Sequence, residues 1–278
     1  MTVATLTDVL ADATRENYAV AGLVVLGWED ARAFVEAADE TGIPIILQAG
    51  PGCRKHTPAP ILGKMFRLLA EQARVPVVCH LDHAYTLAEC VEGIEHGFTS
   101  VMIDGSKLPI AENIALTARV VERAHKAGVS VEGEVGLVGY AGGAASAATS
   151  PEEAARFDRL SGADALAISV GNVHLNTEKT SGIDLAALRA IEAVTRLPLV
   201  LHGGSGIPVP MRQQLARDTR VKKFNIGTEL RMAFGAALRK TLNDDAKTFD
   251  RIEILSRTIP ALRAESRKII MELRGRQS

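Results

Sequence analysis

Short apolar runs of β type alternate along this chain with longer stretches of helical periodicity, and the alternation repeats eight times. The runs fall at residues 20–26, 43–47, 75–79, 99–103, 129–135, 164–170, 197–201 and 221–226. Between the first two, Phe34, Val35 and Ala38 keep helical spacing over 28–41 and Gly42 ends the pattern. Alternation of this kind calls for parallel strands joined by helical crossovers. Eight such units within 278 residues match the α/β class and, within it, a closed (β/α)8 or TIM barrel. A doubly wound open sheet is the second choice. It is weaker because no glycine-rich dinucleotide turn follows the first run.

Further helical patterns cover 61–74, 86–96, 110–126 and 184–194, and one follows Thr228. The pattern at 151–160 opens with Ser150 as N-cap, Pro151 at the first helical position and Glu152 and Glu153 in the first turn. Two segments break the rhythm. Residues 48–60, rich in Gly and Pro, read as a loop. Residues 136–150 hold four Gly, five Ala and no charged group, and with so little to bury they read as a mobile loop. Beyond the eighth unit, 251–274 carries Ile252, Ile254, Leu255, Ile259, Leu262, Ile269, Ile270 and Leu273. That is amphipathic helix material, suited to packing across the barrel or against another subunit. The expectation is one barrel domain over 1–278, with a helical extension from about 245 to 278.

The 32 basic residues balance 33 acidic ones, which leaves no electrostatic footprint for nucleic acid or an anionic membrane. No apolar run approaches the ~20 residues that cross a bilayer. No basic segment followed by an apolar core opens the chain, so no signal peptide is expected. Cys53, Cys79 and Cys90 are odd in number and lack metal-type spacing, which suits a reducing cytoplasm.

In a barrel the carboxyl ends of all strands converge on one face, so polar residues there are to be read together. The third run ends in Cys79-His80-Leu81-Asp82-His83-Ala84. The fourth contributes Asp104, the fifth Glu134, the sixth His174, the seventh His202, and the eighth Asn225 and Thr228. Of seven histidines, four (His80, His83, His174 and His202) stand at these ends, whereas His56, His96 and His125 fall in loops and helices. Three imidazoles suffice for a catalytic zinc with one open position. The turns Gly203-Gly204-Ser205-Gly206 and Asn225-Ile226-Gly227-Thr228 follow the seventh and eighth strands, where barrels often hold a phosphate on backbone N–H groups.

These segments carry a family resemblance. His80-Leu81-Asp82-His83, Met102-Ile103-Asp104-Gly105-Ser106, Glu132-Gly133-Glu134-Val135-Gly136, Leu201-His202-Gly203-Gly204-Ser205 and Asn225-Ile226-Gly227-Thr228 resemble the motifs of the class II (zinc-dependent) ketose-bisphosphate aldolases, nearest the tagatose-bisphosphate aldolase branch. The likeness covers nearly the whole chain in order and spacing. It implies that His83, His174 and His202 bind a catalytic Zn2+. Asp104 and Glu134 would mark a second or alternate position for a displaced zinc or another divalent or monovalent cation. Asp82 would be the catalytic acid/base, and Gly203, Gly204, Ser205, Asn225, Ile226, Gly227 and Thr228 would hold the phosphate end of dihydroxyacetone phosphate. The implied partner is a small sugar phosphate, and the implied assembly is a homodimer or homotetramer. The reaction would cleave or form a ketose (bis)phosphate of the tagatose- or fructose-1,6-bisphosphate type through an enediolate. Asp82 would take the C4 hydroxyl proton as the C3–C4 bond breaks. Lys222 and Lys223 are the only lysines near a strand end, which makes a Schiff-base mechanism the poorer fit.

The chain departs from the family pattern at four places. Leu175 stands where a glycine follows the sixth-strand histidine, and Gly50 where a Ser or Thr nears the substrate. Gly22-Leu23-Val24 replaces an Ala-Phe-Asn pattern, so Val24 stands for the asparagine. Residues 140–150 lack the family's loop carboxylate, which leaves Tyr140 as the loop's one candidate proton donor. The readings that fit are an aldolase for an unusual ketose phosphate, a metal-dependent sugar-phosphate isomerase or epimerase, and a non-catalytic sugar-phosphate binder. Among other features, Trp28 is expected to pack and Glu132 to support the site from the same barrel face as Glu134. His80 would orient Asp82 or simply pack inward. Arg54 and Lys55 are expected as solvated surface rather than a second phosphate site.

Overall fold

Strand pairing closes a cylinder in the computed structural model, which describes residues 2–143, 145–180 and 182–275. Ahead of the cylinder come β1 (Val3–Ala4) and α1 (Leu6–Arg15). The first half of the barrel then runs β2 (Val20–Val24), α2 (Trp28–Thr41), β3 (Ile45–Ala49), α3 (Pro51–His56), α4 (Ala59–Gln72), β4 (Val77–Ala84), α5 (Leu87–Glu95), β5 (Ser100–Ile103) and α6 (Ile110–Lys126). The second half runs β6 (Ser130–Val135), α7 (Pro151–Ser161), β7 (Ala165–Ile168), α8 (Leu185–Val194), β8 (Leu199–Leu201), α9 (Val209–Asp218), β9 (Val221–Ile226) and α10 (Thr228–Asp244). Two helices follow, α11 (Arg251–Ser256) and α12 (Ile259–Arg274). From β2 to β9 each strand pairs in parallel with the next, and β9 returns to β2 through Val20–Lys223 to Leu23–Ile226. The expected eight runs are the eight barrel strands.

Side chains alternate across each strand, and the alternation sorts the core into two shells. Outward positions such as Ile45, Leu47, Val77, Cys79, Val101 and Phe224 join the helices in one large apolar cluster. Inward positions Val20, Ile46, Val78, Met102, Ala165, Ala167 and Val200 form a smaller cluster inside the cylinder. Leu6, Val9, Leu10 and Ala13 of α1 belong to that inner cluster, so α1 plugs the amino-terminal end of the barrel. Thr5 starts α1 with a capping box, its hydroxyl accepting from Asp8 N and its own N–H donating to the Asp8 carboxylate at 3.0 Å. β1 lies beside the first residues of β4, in the space below the point where β5 begins. Neither β1 nor α1 follows from the eightfold pattern, because both precede it.

Three further differences have local causes. The third barrel strand runs on through its polar motif to Ala84, where 75–79 was expected, because β3 and β5 continue to pair with it. The loop 48–60 contains α3, started by Pro51 at its first position. The 251–274 pattern splits at residues 257–258 into α11 and α12. α12 packs on α2, α9 and β2, so it fills the ring position between α9 and α2, and α10 lies outside it. The burial agrees: α12 buries Ile259, Leu262, Ile269, Ile270 and Leu273, whereas α10 buries only Leu230 and Thr241. Trp28, expected to pack, stands 44% exposed at the start of α2.

Because α1 seals the end of the barrel away from the polar strand ends, its core can be weakened separately from them. Leu6→Ala removes a fully buried side chain from the plug and is expected to lower stability by about 2–5 kcal/mol. Urea unfolding at neutral pH measures this, and a loss under about 1 kcal/mol would mean that the plug repacks freely.

Candidate active site

A regular strand would send Asp82 into the barrel and His83 out of it. The structure brings both to the inner side because β4 is bulged. Its pairing with β5 runs through His80–Ser100 and Leu81–Val101 and then skips to Ala84–Ile103. His83 has φ of 50°, in the left-handed region. For a residue other than glycine such a conformation costs on the order of 1–3 kcal/mol, so the surroundings must hold it.

His83 meets His174 and His202 at the mouth of the cylinder. Ring centroids lie 4.7 Å apart for His83 and His202, 5.7 Å for His83 and His174, and 5.6 Å for His174 and His202. Ligand atoms of the three imidazoles all fall within 4.8 Å of one another. Asp104 and Glu134 approach the other side of His83, whose Nδ1 is 3.0 Å from Asp104 Oδ2 and 3.7 Å from Glu134 Oε2. His83, Asp104 and Glu134 form a second group with ligand atoms inside the same limit. Ser106 holds Asp104 by donating to Oδ1 from its N–H at 3.1 Å and from its hydroxyl at 2.6 Å.

The electrostatics follow from packing acids and imidazoles in a dry site. Burial works against a charged His83, but Asp82, Asp104 and Glu134 outweigh it and push the imidazole up to about 9. Burial also opposes ionisation of Asp82, yet His83, His202 and Lys223 overcome it and hold the carboxyl below its usual range. Burial works against an ionised Asp104 as well, but the bond and charge of His83 together with the two bonds from Ser106 outweigh it and take the carboxyl down to about 2. Glu134, buried beside Asp104, is pushed up to about 8. Burial and the neighbouring His83 bring His174 down to about 4, and the same causes lower His202.

Below the imidazoles lies a layer of paired charges. Lys223 and Glu132 are fully buried, with Lys223 Nζ donating to Glu132 Oε2 at 2.6 Å. Glu132 Oε1 accepts from His202 Nε2 at 3.0 Å. That bond leaves His202 Nδ1 as a bare lone pair, buried without a partner among the described residues. His80 packs inward, its Nδ1 2.8 Å from Ser100 Oγ and its Nε2 3.5 Å from Lys223 Nζ. Its Nε2 lies 3.9 Å from Asp82 Oδ1, near but not hydrogen-bonded, so packing is its main role. Asn225 Nδ2 donates to Asp82 Oδ1 at 3.3 Å and orients that carboxylate. Lys222 donates to the Ala216 carbonyl, so neither strand lysine offers an amine to the mouth.

One cavity joins these groups. Asp82, His83, His174, Gly203, Ser205, Asn225, Gly227 and Thr228 line it. Gly203 has φ of 65°, and a Cβ there would sit 2.1 Å from the Val173 carbonyl, so only glycine fits this turn. Gly204 backs onto Ile226 and Asn225, and the Ile226 side chain is fully buried, so these two expected substrate contacts reach the cavity with backbone at most. The four departures from the family pattern all line this cavity, Val24 and Gly50 at the ends of β2 and β3 and Tyr140 and Leu175 after β6 and β7. Tyr140 stacks on His174 with centroids 4.9 Å apart. Ala141 N–H donates to the His174 carbonyl at 2.9 Å and His174 N–H to the Gly139 carbonyl at 2.8 Å, which pins the base of the 136–150 loop. The cavity wall also holds residues the strand-end pattern does not single out, among them Arg231, which its α10 position brings there, and Pro51, Gly52 and Cys53 of α3. Arg54 is not simply solvated surface. Its guanidinium is bonded to three backbone carbonyls, those of Ala49, Asp82 and His83.

The donor set suits a zinc ion. Three imidazole nitrogens with room for a fourth ligand is a catalytic zinc arrangement, and the bare, buried Nδ1 of His202 has no hydrogen-bond partner among the described residues.

Comparison with known proteins agrees with this geometry. The family model described as fructose-bisphosphate aldolase class-II matches residues 4–277. The fructose-bisphosphate aldolase of Geobacillus stearothermophilus is 35% identical over 271 residues, which span 95% of this chain and 94% of that protein. That of Staphylococcus aureus (strain Mu50) is 37% identical over 259 residues, 90% of each chain. The crystal structure of the YdjI aldolase from Escherichia coli K12 superposes with a TM-score of 0.86 at 29% identity, covering 98% of this chain and 97% of that one.

The buried pair beneath the site yields a stability test. Glu132→Gln keeps the volume but leaves the Lys223 ammonium without its counter-ion, and is expected to cost about 3–5 kcal/mol in chemical unfolding. A near-neutral result would mean that Lys223 finds another partner inside the barrel.

Proposed function

The chain belongs to the class-II fructose-bisphosphate aldolase family, and from that membership we propose that it is a zinc-dependent lyase cleaving and forming a ketose phosphate through a dihydroxyacetone phosphate enediolate. The observation that carries the reading is the meeting of His83, His174 and His202 beside Asp82 at the mouth of the barrel. In this reading the three imidazoles hold the catalytic ion, and His83, Asp104 and Glu134 offer an alternate cation position. Zinc bound there supplies a Lewis acid that offsets the charge developing on the enediolate oxygens.

The protein's own groups do the rest. Asp82 is held ionised and is oriented by Asn225, so it can accept the C4 hydroxyl proton as the C3–C4 bond breaks. Gly203, Gly204 and Ser205 with Asn225, Ile226, Gly227 and Thr228 hold the phosphate, through N–H groups of a glycine turn and the start of α10. The enediolate carbon then needs a proton from an acid that faces it. Tyr140 takes this role in place of a loop carboxylate. Its support is a position on the cavity wall and a hydroxyl kept protonated, since burial and then the Asp82 charge raise its pKa.

The relatives are named for fructose bisphosphate, while the motifs sit nearest the tagatose branch, and the two substrates differ only at C4. Aliphatic Val24 and Leu175 and bare Gly50 in the cavity favour an unusual ketose phosphate. The three buried free thiols favour a reducing cytoplasm, and no helix among the described residues is long and apolar enough to cross a membrane. Phe249 (93% exposed) and Ile252 (77% exposed), next to α10, favour a homodimer or homotetramer.

The test is a screen of ketose mono- and bisphosphates, both C4 epimers included, for triose phosphate release with added zinc. Release is expected; ketose–aldose interconversion without release would make the protein an isomerase or epimerase, and binding without turnover a binder. Complete chelation is expected to abolish activity and zinc to restore it, and activity surviving zinc removal would sink the metal-based reading. Asp82→Ala is expected to lower kcat by ~10²–10⁴-fold while zinc is still bound. Tyr140→Phe is expected to lower kcat with little change in KM; unchanged kcat would remove Tyr140 from the reaction.

A further inference from the structure

We propose that Arg54 is a positioning residue, whose guanidinium fixes the bulge in β4 that turns Asp82 and His83 toward the same point. It depends on the function proposed above only in taking His83 as a metal ligand. The bulge is where β4 runs out of neighbours. Pairing with β3 ends at Ala49–Leu81, and pairing with β5 skips from Leu81 to Ala84. The carbonyls of Asp82 and His83 therefore lie outside the ladder, and buried carbonyls require a donor. Arg54 supplies it: Nη1 donates to Ala49 O at 2.6 Å and to Asp82 O, and Nη2 donates to His83 O at 3.0 Å. One planar cation thus ties the end of β3 to both carbonyls of the bulge.

The residue type matters. Arginine presents its N–H groups in a rigid planar fork, so carbonyls bonded to it are fixed in direction as well as distance. A lysine ammonium could reach one or two of them and would not set their mutual angle. His83 has a left-handed backbone, uncommon for any residue with a Cβ, and the fork bonds the peptide groups on both sides of its Cα. Without it, relaxation of residues 82–83 to regular strand would swing His83 off the inner face. Arg54 is itself held, because Cys53 before it is buried and Thr57 N–H closes α3 on the Cys53 carbonyl at 2.8 Å. On its far side Arg54 borders a groove with Tyr85, Glu89 and Glu92, open to small cations from solvent.

That opening makes chemical rescue possible. The experiment uses Arg54→Ala and Arg54→Lys in the full chain, with Zn2+ affinity read by chelator competition and ligand geometry by the visible spectrum of the Co2+ form. Arg54→Ala is expected to lose on the order of 10–100-fold in metal affinity and to change the Co2+ band shape. Guanidinium chloride, well below denaturing concentration, is expected to restore both, whereas urea and methylammonium do not. Arg54→Lys is expected to recover less than the rescued alanine variant. A wild-type spectrum and affinity in Arg54→Ala overturns the proposal, as does a loss that guanidinium leaves unrepaired in a folded protein. If Arg54→Ala does not fold, Arg54→Lys decides: wild-type readings overturn the proposal, and a shifted spectrum with weakened affinity supports it. Neither readout involves turnover. A failed aldolase reading therefore shows as no triose phosphate release with these effects intact, and a failed Arg54 role as the reverse. A wild-type chain that binds neither ion sinks both.

Discussion

Neighbouring residues of a strand face opposite ways, and this site needs two neighbours facing the same way. That conflict shapes the mouth of the barrel. Asp82 obeys the alternation that also turns Val78 and His80 inward, while His83 joins it through a left-handed backbone and a skipped pair in the β4–β5 ladder. The bulge frees two carbonyls, and the Arg54 guanidinium of α3, after the preceding strand, takes them up. A carboxylate and an imidazole then share one small volume, close enough for each to set the protonation of the other.

The interior beneath the mouth is graded. Apolar side chains and the α1 plug fill the amino-terminal part, and above them come Lys223, Glu132, His80 and Ser100, all buried. Such a layer is tolerable only because its charges are paired. It also settles a chemical detail. Because the Glu132 carboxylate accepts from Nε2 of His202, the imidazole can offer only Nδ1 to the mouth, so ligand orientation is decided from inside the barrel.

The barrel was legible because eight apolar runs carry a period, and the imidazole cluster because strand ends must converge. His83, His174 and His202 are far apart in sequence yet become neighbours through topology alone. What escaped reading depends on three-dimensional contacts that have no period. Nothing in Pro51-Gly52-Cys53-Arg54 announces that the arginine turns back to cap the carbonyls of another strand. The exchange of α12 for α10 in the helical ring is equally silent, since both are amphipathic and only packing against β2 and α2 selects between them. α1 could have been found from Thr5 and Asp8, three residues apart at the start of the helical pattern Leu6, Val9, Leu10 and Ala13.

The contrast between an intact imidazole cluster and an altered cavity wall follows from how many partners each residue has. Replacing Glu132 would orphan Lys223 and release His202, and replacing Asn225 would free Asp82, so such positions can change only together. Val24, Gly50 and Leu175 carry no side-chain hydrogen bond, and a Cβ added at Gly50 would meet Asp82 Oδ2 at an ordinary 3.6 Å. Val24 and Gly50 can each be exchanged singly at little cost to the fold, whereas Leu175, with φ of 55°, holds a left-handed backbone that few side chains tolerate. Gly22 is the exception on that side, because a Cβ there would lie 1.9 Å from the buried Gln48 amide oxygen. A barrel built in this way ties the polar groups on its strands to one another and leaves cavity-lining residues such as Val24 and Gly50 independent of that network.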